Sequence, residues 1–600
     1  MSDYPIADYA LLADCNGAAL VHRAGSIDWL CVPRFDSPAV FAGLLDENGG
    51  HWMIRPEADF EVSRRYVDAS LVLETSFTTS TGELVVIDAL AIGPNETGHE
   101  LGAHPPHALL REVRCTRGEV DVDFEYRPRP EYGLTEPILR SDDGGILGQG
   151  GASVLLLSAP VDLDIERSVA RGRFRLAEGQ CRRFALQHRS SSEDKPEHWS
   201  DEDIDERLSQ TIHGWNTWSE IHQSYQGPWK DQVHHSARVL QGLTYFPTGA
   251  IVAAPTTSLP EVVGGQRNWD YRYTWVRDAS FTLDALWVGA CPHESHKFFD
   301  FLAHAALSHL QQGRDMQIMY GIGGEHNLTE RELEHLSGWR DSKPVRAGNG
   351  AWNQRQLDVY GELLAAVDTL RDELGELDPV TRRFLSEVAD MAAQRWQEKD
   401  QGIWEIRGEP RHYLYSKLMC WVALDRAIGL SAMLEADDKV ERWEHIRDEI
   451  RESILEDGWS DSVGAFTQSY GDDHLDAANL VMAMVGFLPA DDERMLATID
   501  AIEEQLTDER GLVYRYRSDD GLEGEEGTFL FCTFWLARAR ALAGQIDRAE
   551  AIFEHAISYA NDIGLLSEEV APDSDELLGN FPQAFSHIGL INAAWTISQA

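Results

Sequence analysis

Two glutamates in separate short segments have the type and setting that acid–base chemistry requires. Glu405 ends the segment Gly402–Glu405, and Glu568 lies in Leu566–Glu569, each in a predicted loop between helical stretches. Cleavage of a glycosidic bond needs one carboxylic acid to protonate the leaving oxygen and a second carboxylate to activate water or to attack the sugar. The two segments therefore predict such a pair, provided that the fold brings both loops to one rim.

The residues around Glu405 suggest which of the two acts as the acid. A carboxyl group beside the indole of Trp404 would lose hydration, which favours the protonated form that a general acid needs. His412 and Lys417 follow in the same stretch, and a positive charge on either could instead lower the pKa of that carboxyl group. The alternative for Glu405 is an ordinary surface glutamate after a buried tryptophan.

Three further segments combine aromatic and polar residues that suit a sugar. Arg267–Asp278 contains Trp269, Arg277 and Asp278. Arginine and aspartate form bidentate hydrogen bonds with hydroxyl groups, and aromatic rings stack on the C–H face of a sugar. The alternative for this segment is an interdomain seam with a structural Arg277–Asp278 pair.

The other two segments are weaker signals. The glycine-rich segment 348–358 contains Trp352 and enters a helix, so it could instead be a capped helix start. Segment 513–519 contains Arg515 and Asp519, and alone it is typical of a surface loop.

The elements that must position these segments fall into two classes. Residues 1–190 contain short runs rich in valine, threonine and phenylalanine, with a hairpin signal over residues 71–90, which indicates an antiparallel β-sandwich. Residues 191–230 are interpreted as a linker with a helix. Residues 231–600 show helical periodicity, with about twelve helices. Twelve helices form six hairpins that can close into a ring, with a pocket among the loops at one end.

Charge and cysteine content limit the function classes. The net charge is −49, with 101 acidic and 52 basic residues, of which 7 are lysine and 45 arginine. Acid excess with little lysine predicts a surface adapted to high salt, as in a halophile. No basic stripe for nucleic acid is visible, and no metal or nucleotide motif is complete.

The seven cysteines are scattered without a paired motif, which favours buried free thiols in a reducing compartment. We predict a cytoplasmic protein, because neither a signal peptide nor an apolar run long enough for a membrane span is apparent. No cofactor is predicted, and the oligomeric state stays open.

Together these segments resemble glycoside hydrolase family 15, which includes glucoamylases, glucodextranases and related trehalases. The resemblance begins at Ile6–Leu11 and Gly25–Pro38, covers the catalytic segments and ends at Gly579–His587. It implies an N-terminal antiparallel β-sandwich followed by an (α/α)6 barrel, in agreement with the elements above. One departure is Ile406, because glucoamylases often have a second acidic residue directly after the catalytic acid.

The resemblance also implies roles for individual residues. Glu405 matches the family's general acid and Glu568 its general base. The substrate-binding candidates, taken from this match and from the segments themselves, are Trp269, Arg277, Asp278, Trp352, Trp404, His412, Lys417, Arg515 and Asp519.

The expected function is that of an exo-acting, inverting α-glucoside hydrolase that releases β-glucose from α-glucan oligosaccharides, as glucoamylases do. The alternative within the family is α,α-trehalase, since both substrates present an α-glucosyl group. Two other classes are less favoured: an (α/α)6 phosphorylase, which would not need Glu568, and a non-catalytic glucan-binding protein, which would keep the aromatic residues but not need both glutamates.

Overall fold

The computed structural model describes residues 4–221, 225–289, 292–311, 316–518, 524 and 526–600. Its first unit is built from antiparallel strands. The strands are β1 (Tyr9–Ala13), β2 (Ala18–His22), β3 (Ser26–Cys31), β4 (His51–Pro56), β5 (Phe60–Tyr66), β6 (Leu73–Thr79), β7 (Gly82–Leu90), β8 (Ala108–Arg127), β9 (Ile138–Asp142), β10 (Gly145–Gly150), β11 (Ser153–Ser158), β12 (Asp164–Glu166), β13 (Val169–Ala177) and β14 (Cys181–Ser190).

The long strand β8 belongs to two sheets. Its first half pairs with β7 and β14, and its second half pairs with β4 and β13. The two sheets face each other across an aromatic core, in which the rings of Phe124 and Phe184 lie 5.4 Å apart and the Arg111 guanidinium lies 5.2 Å from the Trp52 ring. The predicted N-terminal β-sandwich is thereby confirmed.

A helix, α1 (Asp201–Ile221), follows the last strand of the sandwich. Ile204 and Leu208 on one of its faces are buried against Val72, Leu110 and Ala185 of the sheet. The helix that we predicted within a linker is therefore packed on the sandwich, because its apolar face needs a partner to leave water.

The remaining helices form the second unit. They are α2 (Lys230–Gly242), α3 (Ala279–Gly289), α4 (Pro292–Gln311), α5 (Val359–Thr369), α6 (Pro379–Arg395), α7 (Leu414–Gly429), α8 (Ser431–Leu434), α9 (Val440–Asp457), α10 (Val481–Met484), α11 (Glu493–Gln505), α12 (Leu530–Leu542), α13 (Ile546–Ile557) and α14 (Ala584–Gln599).

Within the described residues, six inner segments close a ring. In order around the ring they are α3, α5, α7, the short helical turns at 477–484, α12 and α14, which returns to α3. Helices α2, α4, α6, α9, α11 and α13 pack outside them. The inner helices α7, α12 and α14 are apolar on nearly every face and almost wholly buried, as a helix enclosed by others must be. This arrangement is the predicted (α/α)6 barrel.

The two ends of the barrel differ in loop length. Connections from an inner helix to the next outer helix are short, for example residues 543–545 between α12 and α13. Connections from an outer helix into an inner one are long, and they contain segments 252–278, 312–358, 396–413 and 558–583. Because all of the long loops leave at the same end of the ring, the segments singled out in the sequence meet there.

The segment 267–278 runs between the two units. Its side chains point to one unit or the other, because successive side chains of an extended chain lie on opposite sides. Asp270 and Arg272 form a fully buried ion pair at 2.7 Å, and Arg272 donates to the carbonyl of Ser37 at 3.0 Å in the sandwich unit. The Arg272 guanidinium also lies 5.4 Å from the ring of Tyr132. Three aromatic residues of the same segment instead line a pocket in the barrel, described below.

Two sequence predictions concern other parts of the chain. Among the described residues, no helix combines the length and the apolar character needed to cross a bilayer. The six described cysteines are free thiols, and all except Cys181 are buried. Cys291 lies outside the described residues.

Candidate active site

A pocket at the long-loop end of the barrel draws its walls from four loops. The described residues that line it are Glu261, Arg267, Trp269, Tyr271, Trp275, Asn349, Ala351, Trp404, Glu405, Ile406, Arg407, Arg515, Tyr516 and Glu526. Its mixture of indole rings, carboxylates and guanidinium groups suits a polyhydroxylated ligand.

Glu405 is held on the pocket wall through one of its two oxygens. Arg277 Nη1 donates to Oε1 at 2.8 Å, and Trp275 Nε1 donates to the same atom at 3.1 Å. No described residue donates to Oε2, so that oxygen is left for a ligand. Glu405 has a φ of 51°, a left-handed conformation that costs a residue with a side chain about 1–2 kcal/mol. Such strain concentrates at functional sites.

The loop around Glu405 is fixed by hydrogen bonds to its backbone. Arg277 Nη1 also donates to the carbonyl of Ile403 at 2.7 Å, and Gln354 Nε2 donates to the carbonyl of Glu405 at 3.2 Å. One guanidinium therefore positions both the Glu405 carboxylate and the turn that carries it. The Trp404 indole, which we expected beside that carboxylate, instead donates to Asp476 at 3.0 Å.

Glu568 lies behind the pocket wall and is almost completely buried. Its Oε1 accepts from Tyr271 Oη at 2.9 Å and from Gln583 Nε2 at 3.3 Å. Its Oε2 is buried without a hydrogen-bond partner. Burial, followed by the negative charge of Glu261, raises the pKa of Glu568. A buried acceptor with a raised pKa and an unused lone pair is well suited to take a proton from water.

Gly579 lies directly against Glu568. A methyl group added at Gly579 would stand 2.7 Å from Oε2, closer than non-bonded atoms approach. Its φ of 81° is also unfavourable for any other residue. Glycine at this position keeps the space beside Oε2 open.

Two aromatic side chains connect the glutamates. Tyr271 contacts Glu568 through its hydroxyl group, and its ring meets the ring of Trp275 edge-on, with centroids 5.4 Å apart. Trp275 in turn contacts Glu405. The structure thus connects Glu405 on the pocket wall with Glu568 behind it, although 162 residues separate them in sequence.

The inner end of the pocket is a network of arginines and carboxylates. Arg515 Nη2 lies 2.7 Å from Glu526, 3.2 Å from Glu261 and 3.6 Å from Glu569. Arg267 forms an ion pair with Glu526. Burial raises the pKa of Glu261 and of Glu569. Three carboxyl groups thus share two guanidinium groups, and this network gives the pocket a polar, ion-paired surface.

The predicted substrate-binding residues occupy several positions. Trp269, Trp404 and Arg515 line the pocket. Arg277 contacts Glu405, and Asp278 accepts from Arg277 Nε at 3.0 Å at the start of α3. Trp352 is partly exposed in a 3-10 turn beside the pocket-lining residue Ala351. Asp519 lies outside the described residues.

The structure does not bring His412 and Lys417 to this pocket, which corrects their assignment to substrate binding. Lys417 is fully buried in α7 and donates to the carbonyl of Glu398. His412 stacks on Tyr470, with ring centroids 6.1 Å apart. The reason is local, because α7 begins at Leu414 and turns Lys417 into the packed interior of the barrel.

Several pocket residues were absent from the sequence prediction. Tyr271 and Trp275 lie in the aromatic segment, and their alternation with buried Asp270 and Arg272 could have identified them. Glu261, Glu526 and Arg407 are charged residues in loops of an acidic chain, and no periodic pattern distinguishes them there.

An (α/α)6 barrel with one carboxylate on a pocket wall and a second connected to it from a separate loop is the arrangement expected of a glycoside hydrolase. The particular family follows from comparison with known proteins. The family model described as "Glycosyl hydrolases family 15" matches residues 227–595, and the chain belongs to that family. A second model, "Trehalase-like, N-terminal", matches residues 2–208, which include the β-sandwich and the start of α1.

Similar curated proteins span nearly the whole chain. A protein named "Trehalase" from Mycolicibacterium smegmatis is 41% identical and covers 99% of this chain and 92% of its own length. A "Trehalase" from Mycobacterium tuberculosis is 42% identical over 99% of this chain and 90% of its own length. A "Trehalase" from Thermoplasma volcanium is 33% identical over 100% of this chain and 94% of its own length.

Among solved structures, a bacterial glucoamylase complexed with acarbose superposes with a TM-score of 0.73. The alignment covers 100% of this chain and 94% of that one at 13% sequence identity. This similarity confirms the two-unit architecture.

Proposed function

We propose that the protein hydrolyses α,α-trehalose to two glucose molecules, with inversion at the carbon that is attacked. The observation that supports hydrolysis best is the continuous contact from Glu568 through Tyr271 and Trp275 to Glu405. The curated relatives named trehalase, which match the chain over nearly its full length, favour trehalose over the maltooligosaccharides that the sequence analysis placed first.

In the proposed reaction, Glu405 is the general acid. With Oε1 engaged by Arg277 and Trp275, the proton resides on Oε2 and passes to the oxygen that joins the two sugars. The bond from that oxygen to the anomeric carbon breaks as positive charge develops on the attacked ring. Arg277 keeps the acid in place, and Asp278 in turn orients Arg277.

Glu568 is the proposed general base. A water molecule beside Oε2 transfers a proton to it while the water oxygen bonds to the anomeric carbon from the opposite face. Tyr271 stabilises Oε1 and orients the carboxylate. One sugar leaves as α-glucose, and the attacked sugar becomes β-glucose.

NMR spectroscopy of the fresh products tests this proposal. With trehalose in H₂¹⁸O, we expect equal initial amounts of α- and β-glucose, with ¹⁸O confined to the β-anomer. Label in the α-anomer alone would refute inversion. The assay is run in dilute buffer and in molar salt, because a net charge of −49 makes folding sensitive to screening.

Maltose, maltotriose and isomaltose serve as competing substrates in the same assay. Faster turnover of maltotriose than of trehalose would support the glucoamylase-like alternative. Turnover that requires added inorganic phosphate and yields glucose 1-phosphate would support a phosphorylase instead.

A further inference from the structure

One arginine at the pocket differs from its neighbours, because none of its hydrogen-bond donors contacts a residue in the described part of the chain. Arg277 is bonded to Glu405 and Asp278, Arg515 to Glu526 and Glu261, and Arg267 to Glu526. Arg407 also lines the pocket, yet it forms no hydrogen bond or ion pair with any described residue.

A contact with an aromatic ring holds Arg407 at the pocket. Its guanidinium lies 4.3 Å from the centroid of the Trp269 ring, another lining residue. A cation–π contact of this kind restrains the side chain but uses none of its five N–H donors. The donors therefore remain available to a ligand.

The position of Arg407 indicates which part of a ligand it would meet. Of the described residues that line the pocket, Arg407 alone is exposed, so it marks the mouth. It follows Glu405 by two residues, so their Cα atoms are within about 7 Å of each other. A general acid must face the oxygen between the two sugars. With the attacked sugar in the buried part of the pocket, the leaving sugar lies toward the mouth.

We propose that Arg407 binds hydroxyl groups of the leaving sugar and thereby selects a disaccharide over a bare glucosyl group. This inference rests on the proposed function and deepens it. A guanidinium suits this position because its rigid fork can reach two neighbouring oxygens of one ring. Ile406, which lies between Glu405 and Arg407 and also lines the pocket, offers no polar group, so Arg407 supplies the polar contact on this side of the acid.

The test compares two substrates that share the glucosyl group and differ in the leaving group. Trehalose has a leaving sugar, whereas α-glucosyl fluoride has none. For Arg407→Ala we expect kcat/KM for trehalose to fall roughly 10- to 100-fold, the loss typical of a hydrogen bond to a charged group. We expect kcat/KM for α-glucosyl fluoride to change less than about twofold. Arg407→Lys should recover only part of the trehalose activity, because an ammonium lacks the fork.

The matched control is Arg207→Ala on α1. Arg207 lies 3.9 Å from the Trp199 ring and so makes the same type of contact in the sandwich unit. The Arg207→Ala variant should leave kcat/KM for both substrates unchanged. Equal loss on both substrates with Arg407→Ala, or no loss on either, would overturn the role of Arg407 alone. Failure of the wild-type protein to hydrolyse either substrate would overturn the proposed function, and this inference with it.

Discussion

Glu405 and Glu568, the two candidate catalytic residues, have contrasting surroundings. Glu405 is partly exposed on a strained turn, and an arginine and an indole bind one of its oxygens. Glu568 is buried, lies near other carboxylates, and keeps one oxygen without a partner. This contrast supports the proposed roles. The general acid, Glu405, must reach the leaving group near solvent, and the general base, Glu568, must bind a single water molecule in a sheltered position.

The largest effect is expected from Glu568→Gln. Without a base to accept the proton from water, kcat should fall by about 10²–10⁴-fold on both trehalose and α-glucosyl fluoride. Glu409→Gln, on the exposed part of the Glu405 loop, is the control and should retain activity. Steady-state kinetics on both substrates, with circular dichroism to verify folding, measures the effect. If Glu568→Gln kept wild-type turnover of the fluoride, it would not be the base.

Glu405→Gln should discriminate between the same two substrates. Trehalose needs protonation of its leaving oxygen, so its kcat should also fall by about 10²–10⁴-fold. Fluoride departs as an anion without that help, so its turnover should fall by less than about tenfold. If Glu405→Gln lowered kcat equally on both substrates, Glu405 would not be the general acid.

Gly579→Ala tests the open space beside Glu568. The added methyl group would crowd Oε2, and displacing a catalytic group by about 1 Å can cost on the order of 10² in rate. Gly486→Ala is a matched control, because Gly486 has a similar φ of 77° and nothing within 4 Å of the added atom. Both variants carry the cost of a positive φ, and Gly579→Ala adds the crowding of Glu568, so Gly579→Ala should melt at the lower temperature and it alone should lose kcat. Equal activity in the two variants would contradict the role assigned to Oε2.

The smallest effect concerns pH. A general base works only when deprotonated, so activity declines as pH falls through its pKa. The raised pKa of Glu568 therefore places the acid limb of the kcat/KM profile above the range of an ordinary glutamate. Glu261→Gln removes a nearby negative charge, lowers the pKa of Glu568, and should shift that limb to lower pH by on the order of one unit. An acid limb that stays in place would show that Glu568 does not control it.

Periodicity in the sequence was sufficient to predict the architecture. The strands and the outer helices bury one regular face and the inner helices are apolar on nearly every face, so the spacing of apolar residues could predict both. The ring order could not be read from the chain, because contacts such as that between α14 and α3 join elements about 300 residues apart.

The site was only partly predictable. Arg277, Trp404 and Arg515 lie in dense aromatic or charged segments and could be recognised by type. Glu261 and Glu526 could not, since their importance comes from sharing Arg515 across the fold. Lys417 was wrongly included among the pocket residues. It is close to Glu405 in sequence, but α7 begins between them and buries Lys417 in the barrel interior.

The alternation of segment 267–278 ties catalysis to the rest of the molecule. Three of its aromatic residues line the pocket, while Arg272 is anchored under Tyr132 and Ser37 of the sandwich. One segment therefore contributes both to the pocket wall of the barrel and to the interface with the β-sandwich. We therefore expect a substitution in the β-sandwich at Tyr132 to shift Tyr271 and, through its hydrogen bond, Glu568.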